Sequence, residues 1–571
     1  MQTNLSQLIK VARGEAKADL VLLNARVVNV FNAEIEPANV AIFGGQIAGV
    51  GDYTLGNRVL DLKGAYLLPG LINGHTHVES SMLDISQYAR AVVAHGTSAL
   101  ITDLHEISNV CGKEGIDYVL SASADLPLNI FLQVPSCVPA THLETAGAEI
   151  NSNDVTELLR LPNVTGLGEM MNFPGVLFAV PSVLDKIKAA SGKVLDGHAP
   201  GLSGKDLNAY IAAGIHSDHE CIHLDEAKEK LARGMYIMIR EGSSEKNLTE
   251  LLPLVTDKTY KRCIFVVDDR SCADLQRDGD IDAVVRKAIK LGLDPVRAIQ
   301  LASINTAEYF CLNGYGAIAP GYLANMIVCQ DLNQLDIDMV FHKGELVAEK
   351  GQALFKPQSH VPKSLLSSMH IKPFDIKDLA LKGSSTQMPV IEVIPGQIVT
   401  RRLNLKIPAE NGVITPDIEQ DLLKIVVSER HCQSGNIGRG LIKGFGIKKG
   451  AIASSVAHDS HNVVAVGTND ADIYAAVKEL ERINGGIALV VDGKVSASVP
   501  LPVAGLLSTQ PLEKVVDALE EINKQVAGLG CKLSAPFATL SFMALPVIPE
   551  LRLTDLGLVD VNAFKLIPQE T

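Results

Sequence analysis

Apolar and polar residues alternate along "ADLVLLNARVVNV" and "ANVAIFGGQIAGVGD". The same texture returns far downstream in "ANMIVCQDL" and "DMVFHKGELVAEKG". Period-two alternation that ends in turn residues predicts short antiparallel strands. Between these flanks the pattern changes to short apolar runs, each followed by a helical pattern. The runs are "AYLLPGLING", "SALITDLHE", "NIFLQVPSC", "VTGLGEMMN", "KVLDGHAPG", "GIHSDHE", "MYIMIREG" and "CIFVVDDR". Their spacing averages about 28 residues, the length of a strand plus a returning helix. Eight such units predict an α/β fold centred on a (β/α)8 TIM-like barrel over 65–314. The flanks, 1–64 and 315–365, are expected to combine as one small β-sandwich domain. The Pro-, Ser- and Lys-rich "KPQSHVPKSLLSSMHIKPFD" marks a linker, assigned to 366–384. Beyond it, 385–571 mixes strands ("GGIALVVDGKVSASVPL") with a helix ("PLEKVVDALEEINKQVAGL") and is expected to form an α+β domain.

In a barrel of this type, chemistry sits at the carboxyl ends of the strands. The polar residues there are His75 and His77 after strand one, Glu169 after strand four and His198 after strand five. His219 follows strand six and Asp268 follows strand eight. His75 and His77 are two apart, so on a strand both face the same side. Four imidazoles and two carboxylates around one opening form a metal-binding constellation. Asp269 competes with Asp268, and the first residue past the apolar run is the better inward candidate. Asp218 and Glu220, by alternation, are expected to face away from His219.

Composition narrows the partners. The 571 residues carry a formal net charge of −14 with no basic stretch, which argues against nucleic acid. The nine cysteines are widely spaced and contain no C-x-x-C, so neither a disulfide framework nor a cysteine zinc site is expected. That usage, with no apolar run of signal-peptide or bilayer length, points to a soluble cytoplasmic protein with no membrane partner. "GNIGRGLIKGFG" does not match a phosphate-binding loop. "HVE" lacks the P-C-x-x-C that the small cytidine-type deaminases require.

The strand-end residues resemble the pattern of the amidohydrolase superfamily, and more narrowly the adenine deaminase family. The narrower resemblance is carried by "PGLINGHTHVESSM", "TDLHEISNV", "GLGEMMNFPGV", "DGHAPGL" and "SDHE". It continues in "GNIGRGLIKGFGIKKGAIASSVAHDSHN" and "FMALPVIPELRLTDLGLVD", and covers essentially the whole chain. The bridging position holds Glu169, where many superfamily members use a carboxylated lysine. The resemblance implies hydrolytic deamination of adenine to hypoxanthine and ammonia, in purine salvage, by a metal-activated hydroxide. It implies two divalent ions, Mn2+ or Fe2+ with Zn2+ as a further option. His75, His77 and Asp268 would hold one ion, His198 and His219 the other, and Glu169 would bridge them.

Asp268 is then the expected general base and acid. Glu106 and Glu79 are both candidates to protonate the purine ring, or else to orient metal-bound histidines. Asp103, His105, Asp269 and His458 are expected near the substrate. "AHDSHN" (His458, Asp459, His461) reads as a hydrogen-bonded turn rather than a further metal site, or as a segment reaching over the barrel mouth. A homodimer is the expected assembly. Two rival readings use the same scaffold: cyclic amide hydrolysis, and a barrel that lost its metals and binds a ligand.

Overall fold

The computed structural model describes residues 4–383 and 387–568. The expected linker boundary at 384/385, and the outermost residues of the first and last expected domains, lie outside them.

The alternating flanks pair with one another. Ala18–Asn29 runs antiparallel to Glu34–Phe43, which turns through Gly44 and Gly45 into Gln46–Gly51. Gly56–Asp61, Met326–Cys329, Ile337–His342, Glu345–Glu349 and Gln352–Ala353 extend the same sheet, which with one joining strand has nine. The join is Tyr66–Pro69, parallel to the first strand and antiparallel to Met326–Cys329.

That join differs from the sequence expectation, which read "AYLLPGLING" as one barrel strand. The run is two strands, Tyr66–Pro69 and Leu71–Asn73, in two different sheets. Gly70 separates them, and its N–H donates to the Asn325 carbonyl at 2.8 Å. A Cβ there would lie 2.5 Å from Ser98 Oγ, so only glycine lets the chain cross between the sheets.

The central strands are parallel and follow chain order. Leu71–Asn73, Thr97–Thr102, Asn129–Val134, Val164–Met170 and Val194–Gly197 form one run. Ser217–Asp218, Tyr236–Arg240 and Cys263–Val266 form a second. The runs meet at both ends. His216 N–H donates to the Leu195 carbonyl at 3.2 Å, and Asp268–Asp269 pairs in parallel with Thr76–His77. The result is a curled parallel sheet with its intervening helices outside. Its strands are buried on both faces (Thr97–Thr102 throughout), which explains their continuous apolar character.

Residues 355–383 hold only short helical turns and the two-residue strand Leu381–Lys382, yet they are packed down. Leu365, Ile371 and Leu379 are buried, and the His370 N–H donates to the Arg430 carbonyl at 2.8 Å. Beyond lies an eight-stranded mixed sheet that includes Leu422–Ser428, Ala451–Ser454 and Val463–Gly467. Alternation assigns its faces. Val426, Ala453 and Ala465 pack under the helix Asp470–Arg482. Their neighbours Ile425, Ile452 and Val464 pack with Ile522 of Leu512–Gly528 and Leu540 of Pro536–Phe542. The hairpin Gly486–Val491/Lys494–Pro500 and the 512–528 helix fall where the sequence patterns put them. Among the described residues, no helix is long and apolar enough to cross a membrane.

Candidate active site

The histidine pair is set by backbone geometry. A Cβ at Gly74 would lie 2.8 Å from Ile264 Cγ2, so glycine lets the first strand close against the eighth. Beyond it, the His75 and His77 rings stand 4.8 Å apart in an edge-to-face arrangement. Asp268 has a left-handed φ of 64°. Its N–H donates to the His75 carbonyl at 2.9 Å, and its carbonyl accepts from Thr76 Oγ1 at 3.0 Å. These bonds hold an uncommon conformation and aim the carboxylate at the two imidazoles. Asp268 Oδ1 is 3.1 Å from His77 Nε2 and 3.5 Å from His75 Nε2.

Glu169 divides its oxygens between two groups of imidazoles. Oε1 lies 3.3 Å from His77 Nε2 and 3.9 Å from His75 Nε2. Oε2 lies 2.6 Å from His198 Nδ1 and 3.2 Å from His219 Nε2. His75 Nε2 is buried with no hydrogen-bond partner, although two carboxylate oxygens lie within 4.0 Å. A cation held at about 2.0–2.1 Å sets neighbouring ligands about 2.9–3.4 Å apart. The imidazole–carboxylate distances around His77 and Asp268 match that spacing, so this donor set can hold metal.

The other expected site residues surround this cluster. Asp103 stands between two imidazoles, 3.2 Å from His77 Nδ1 and 2.9 Å from His105 Nδ1. The charges of His105 and His77 overcome burial and hold its carboxyl below the usual range. Asp269 accepts a short hydrogen bond from Ser80 Oγ. Glu106 Oε1 is 3.4 Å from His105 Nε2, and its carboxylate is in short contact with His458 Nδ1 and His461 Nε2. Glu79 lies behind the cavity wall, where its Oε1 accepts the Ile107 N–H at 3.1 Å. Burial, with the Glu106 charge, raises its carboxyl to about 7.

"AHDSHN" fits two of the readings the sequence allowed. It is a hydrogen-bonded turn, with Ala457 N–H donating to His461 Nδ1 at 3.0 Å and His461 N–H donating to the Ala457 carbonyl at 2.7 Å. It also reaches the cavity at the rim of the curled parallel sheet, where His458 stacks on Phe542 with ring centroids 4.6 Å apart. Asp459 Oδ2 is buried there without a hydrogen-bond partner. The cavity is small, ≈60 Å³, and Met171, Ile398, Phe542, Leu545 and Ile548 form its apolar side. A larger cavity of ≈820 Å³ lies beside it, but the metal-capable cluster is in the small one.

Two residues escaped the sequence reading. Arg240 ends the seventh strand, where the rule that found the other strand-end residues was not applied. Its Nη1 donates to Asp268 Oδ2 at 2.7 Å, and its Nη2 to Glu220 Oε2 at 3.1 Å. Glu220 corrects an expectation. It does not face away: its Oε1 is 3.6 Å from His219 Nε2 and 3.8 Å from His198 Nδ1. The sixth strand stops at Asp218, so period-two alternation does not extend to residue 220. Asp218 does face away, buried against Lys230 Nζ at 2.8 Å.

Residues 66–347 match the amidohydrolase family, and residues 397–565 match the adenine deaminase C-terminal domain. The chain is 97% identical over 571 residues, all of both chains, to "Adenine deaminase" of Dehalococcoides mccartyi. It belongs to the adenine deaminase family. Within that family it is 49% identical over 565 residues to "Adenine deaminase 2" of Carboxydothermus hydrogenoformans, covering 99% of each chain. It is 44% identical over 579 residues to "Adenine deaminase" of Halalkalibacterium halodurans, covering 100% of this chain and 99% of that one. A solved enamidase structure of the amidohydrolase superfamily aligns with TM-score 0.43 and 17% identity, over 60% of this chain and 98% of that one.

Proposed function

We infer that this chain is a metal-dependent adenine deaminase, converting adenine and water to hypoxanthine and ammonia in purine salvage. The observation that carries the reading is Glu169, whose two oxygens serve two separate imidazole groups within one buried cluster. His75, His77 and Asp268 would hold one divalent ion, His198 and His219 a second, with Glu169 between them. Mn2+ or Fe2+ suits this mixed nitrogen and oxygen set, as does Zn2+. Bound there, such ions polarise water and lower its pKa toward neutrality.

The chain's own groups supply the rest. Asp268 Oδ1 takes the proton released as water adds to C6 and returns it to the departing amino group. Arg240 on Oδ2 holds that carboxylate in place. Glu106, on the cavity wall, serves the ring nitrogen beside C6; Glu79, behind the wall, orients the Ile107 backbone. Asp103 orients His77 and His105. Asp269, His458 and the apolar side of the cavity enclose the purine. We read the scaffold as a closed (β/α)8 barrel over 65–314, with a small β domain from 1–64 and 315–365, a linker at 366–384 and an α+β domain at 385–571. The unpaired cysteines support a cytoplasmic setting, and a homodimer is the assembly we propose.

The full-length relatives named adenine deaminase favour adenine over a cyclic amide. The test is direct. The metal-loaded chain should release ammonia and hypoxanthine from adenine and should not open dihydroorotate or hydantoin. Glu169→Gln should lose divalent metal by elemental analysis and at least about 1,000-fold in kcat. Ring opening without adenine turnover would reverse the assignment.

A further inference from the structure

Glu106 is a barrel residue, yet two of its closest partners come from a segment more than 350 positions later. That segment, 455–462, connects the neighbouring strands Ala451–Ser454 and Val463–Gly467 of the C-terminal sheet. It is held on several sides. Fully buried Arg430 bonds through Nε to the His461 carbonyl and through Nη2 to the Ala504 carbonyl at 3.0 Å. Asn462 Nδ2 donates to the Thr145 carbonyl at 2.8 Å, and His458 N–H donates to the Ser541 carbonyl at 3.0 Å.

The protons can be placed by hydrogen-bond logic. His461 Nδ1 accepts the Ala457 N–H, so in the neutral ring the proton is on Nε2, the atom against Glu106 Oε2. A carboxylate accepts and does not donate, so the proton in the second contact sits on His458 Nδ1, against Glu106 Oε1. His461 has no spare proton, because its other nitrogen is an acceptor. His458 Nδ1 has no such restriction.

We propose, resting on the deaminase reading above, that His461 and His458 divide two tasks, His461 as a positioning residue and His458 as the proton donor to Glu106. His461 fixes the Glu106 carboxylate through Oε2. His458 stores, on Nδ1, the proton that Glu106 Oε1 passes to the ring nitrogen beside C6. In the transfer, the His458 Nδ1–H bond breaks as Glu106 Oε1–H forms. That O–H bond then breaks as the ring N–H forms. The proton shed when the C6 hydroxyl becomes the carbonyl restores the pair, and no electrons leave the site. Burial pulls His458 down, but the Glu106, Asp269 and Asp459 carboxylates outweigh it and raise the imidazole to about 9, consistent with a stored proton. The C-terminal domain thereby supplies part of the proton path of the barrel's reaction.

Two near-isosteric amides separate the tasks. In His461→Gln the amide N–H can still donate to Oε2, so kcat should stay within about tenfold of wild type, while His461→Leu should lose about 100-fold. In His458→Asn the amide keeps a hydrogen bond to Oε1 but has no transferable proton, so kcat should fall about 100-fold with KM little changed. Metal content and melting temperature should match wild type in the two amide variants. Wild-type kcat in His458→Asn, or a His461→Leu loss that His461→Gln fails to restore, would overturn the clamp alone. No adenine turnover by the wild-type chain would overturn the deaminase reading instead, and the clamp with it.

Discussion

At the scale of single residues, the sixth strand shows how short-range pattern and three-dimensional position part company. Asp218 follows the alternation rule and turns from the cavity into a pocket with Lys230. There Lys230 Nζ donates to Asp218 Oδ2 at 2.8 Å, to Glu226 Oε1 at 2.7 Å and to the Ala199 carbonyl at 2.6 Å. Both charges are fully buried. Burial raises the Asp218 carboxyl, but the Lys230 charge overcomes that and holds it below the usual range. A lowered carboxyl pKa contributes stability above its unfolded value and loses it as pH falls below. Lys230→Met should therefore cost about 3–5 kcal/mol at neutral pH, because it strands a buried carboxylate. The deficit should shrink as pH falls below the ordinary value of 3.8. Urea unfolding at neutral and acid pH measures both. Glu220, two positions on, breaks the rule because the strand has ended.

At the scale of elements, every strand of the parallel sheet except the third delivers one or two side chains to the same cavity, from its end or the loop after it. The seventh carries Arg240, which lies between the Glu220 carboxylate following strand six and the Asp268 carboxylate following strand eight. A guanidinium has donors enough to serve both, and a lysine ammonium cannot reproduce the fork. Arg240→Met should lower kcat/KM at least about 100-fold, and Arg240→Lys should recover little of it. Steady-state kinetics with metal analysis separates a misplaced Asp268 from a lost ion. Six of the eight apolar runs each fall on a single strand; the last also yields the short strand Asp268–Asp269, and the first divides at Gly70. Hydrophobicity cannot see that division, because both halves are buried and apolar.

At the scale of the whole molecule, the C-terminal domain forms one side of the metal-capable cavity. Its contact with the N-terminal part of the chain is polar as well as apolar. Asp555 accepts the Thr145 N–H at 2.9 Å and Thr145 Oγ1 at 2.7 Å, beside the Asn462 bond to the Thr145 carbonyl. Asp555→Ala leaves the part-buried Thr145 N–H without its carboxylate and should cost about 1–3 kcal/mol. Denaturant unfolding should show that loss, and kcat should fall as the His458 segment shifts. The sequence by itself determined the parallel-strand rhythm, the pairing of the two flanks and six residues of the cluster that could hold a metal. These follow from local periodicity and from the rule that chemistry gathers at strand ends. Only the tertiary structure decided that Glu106 lies on the cavity wall and Glu79 behind it, that Arg240 spans two carboxylates, and that His458 and His461 meet Glu106. Those contacts join residues up to 355 positions apart, and their geometry is set by domain packing that no local pattern encodes.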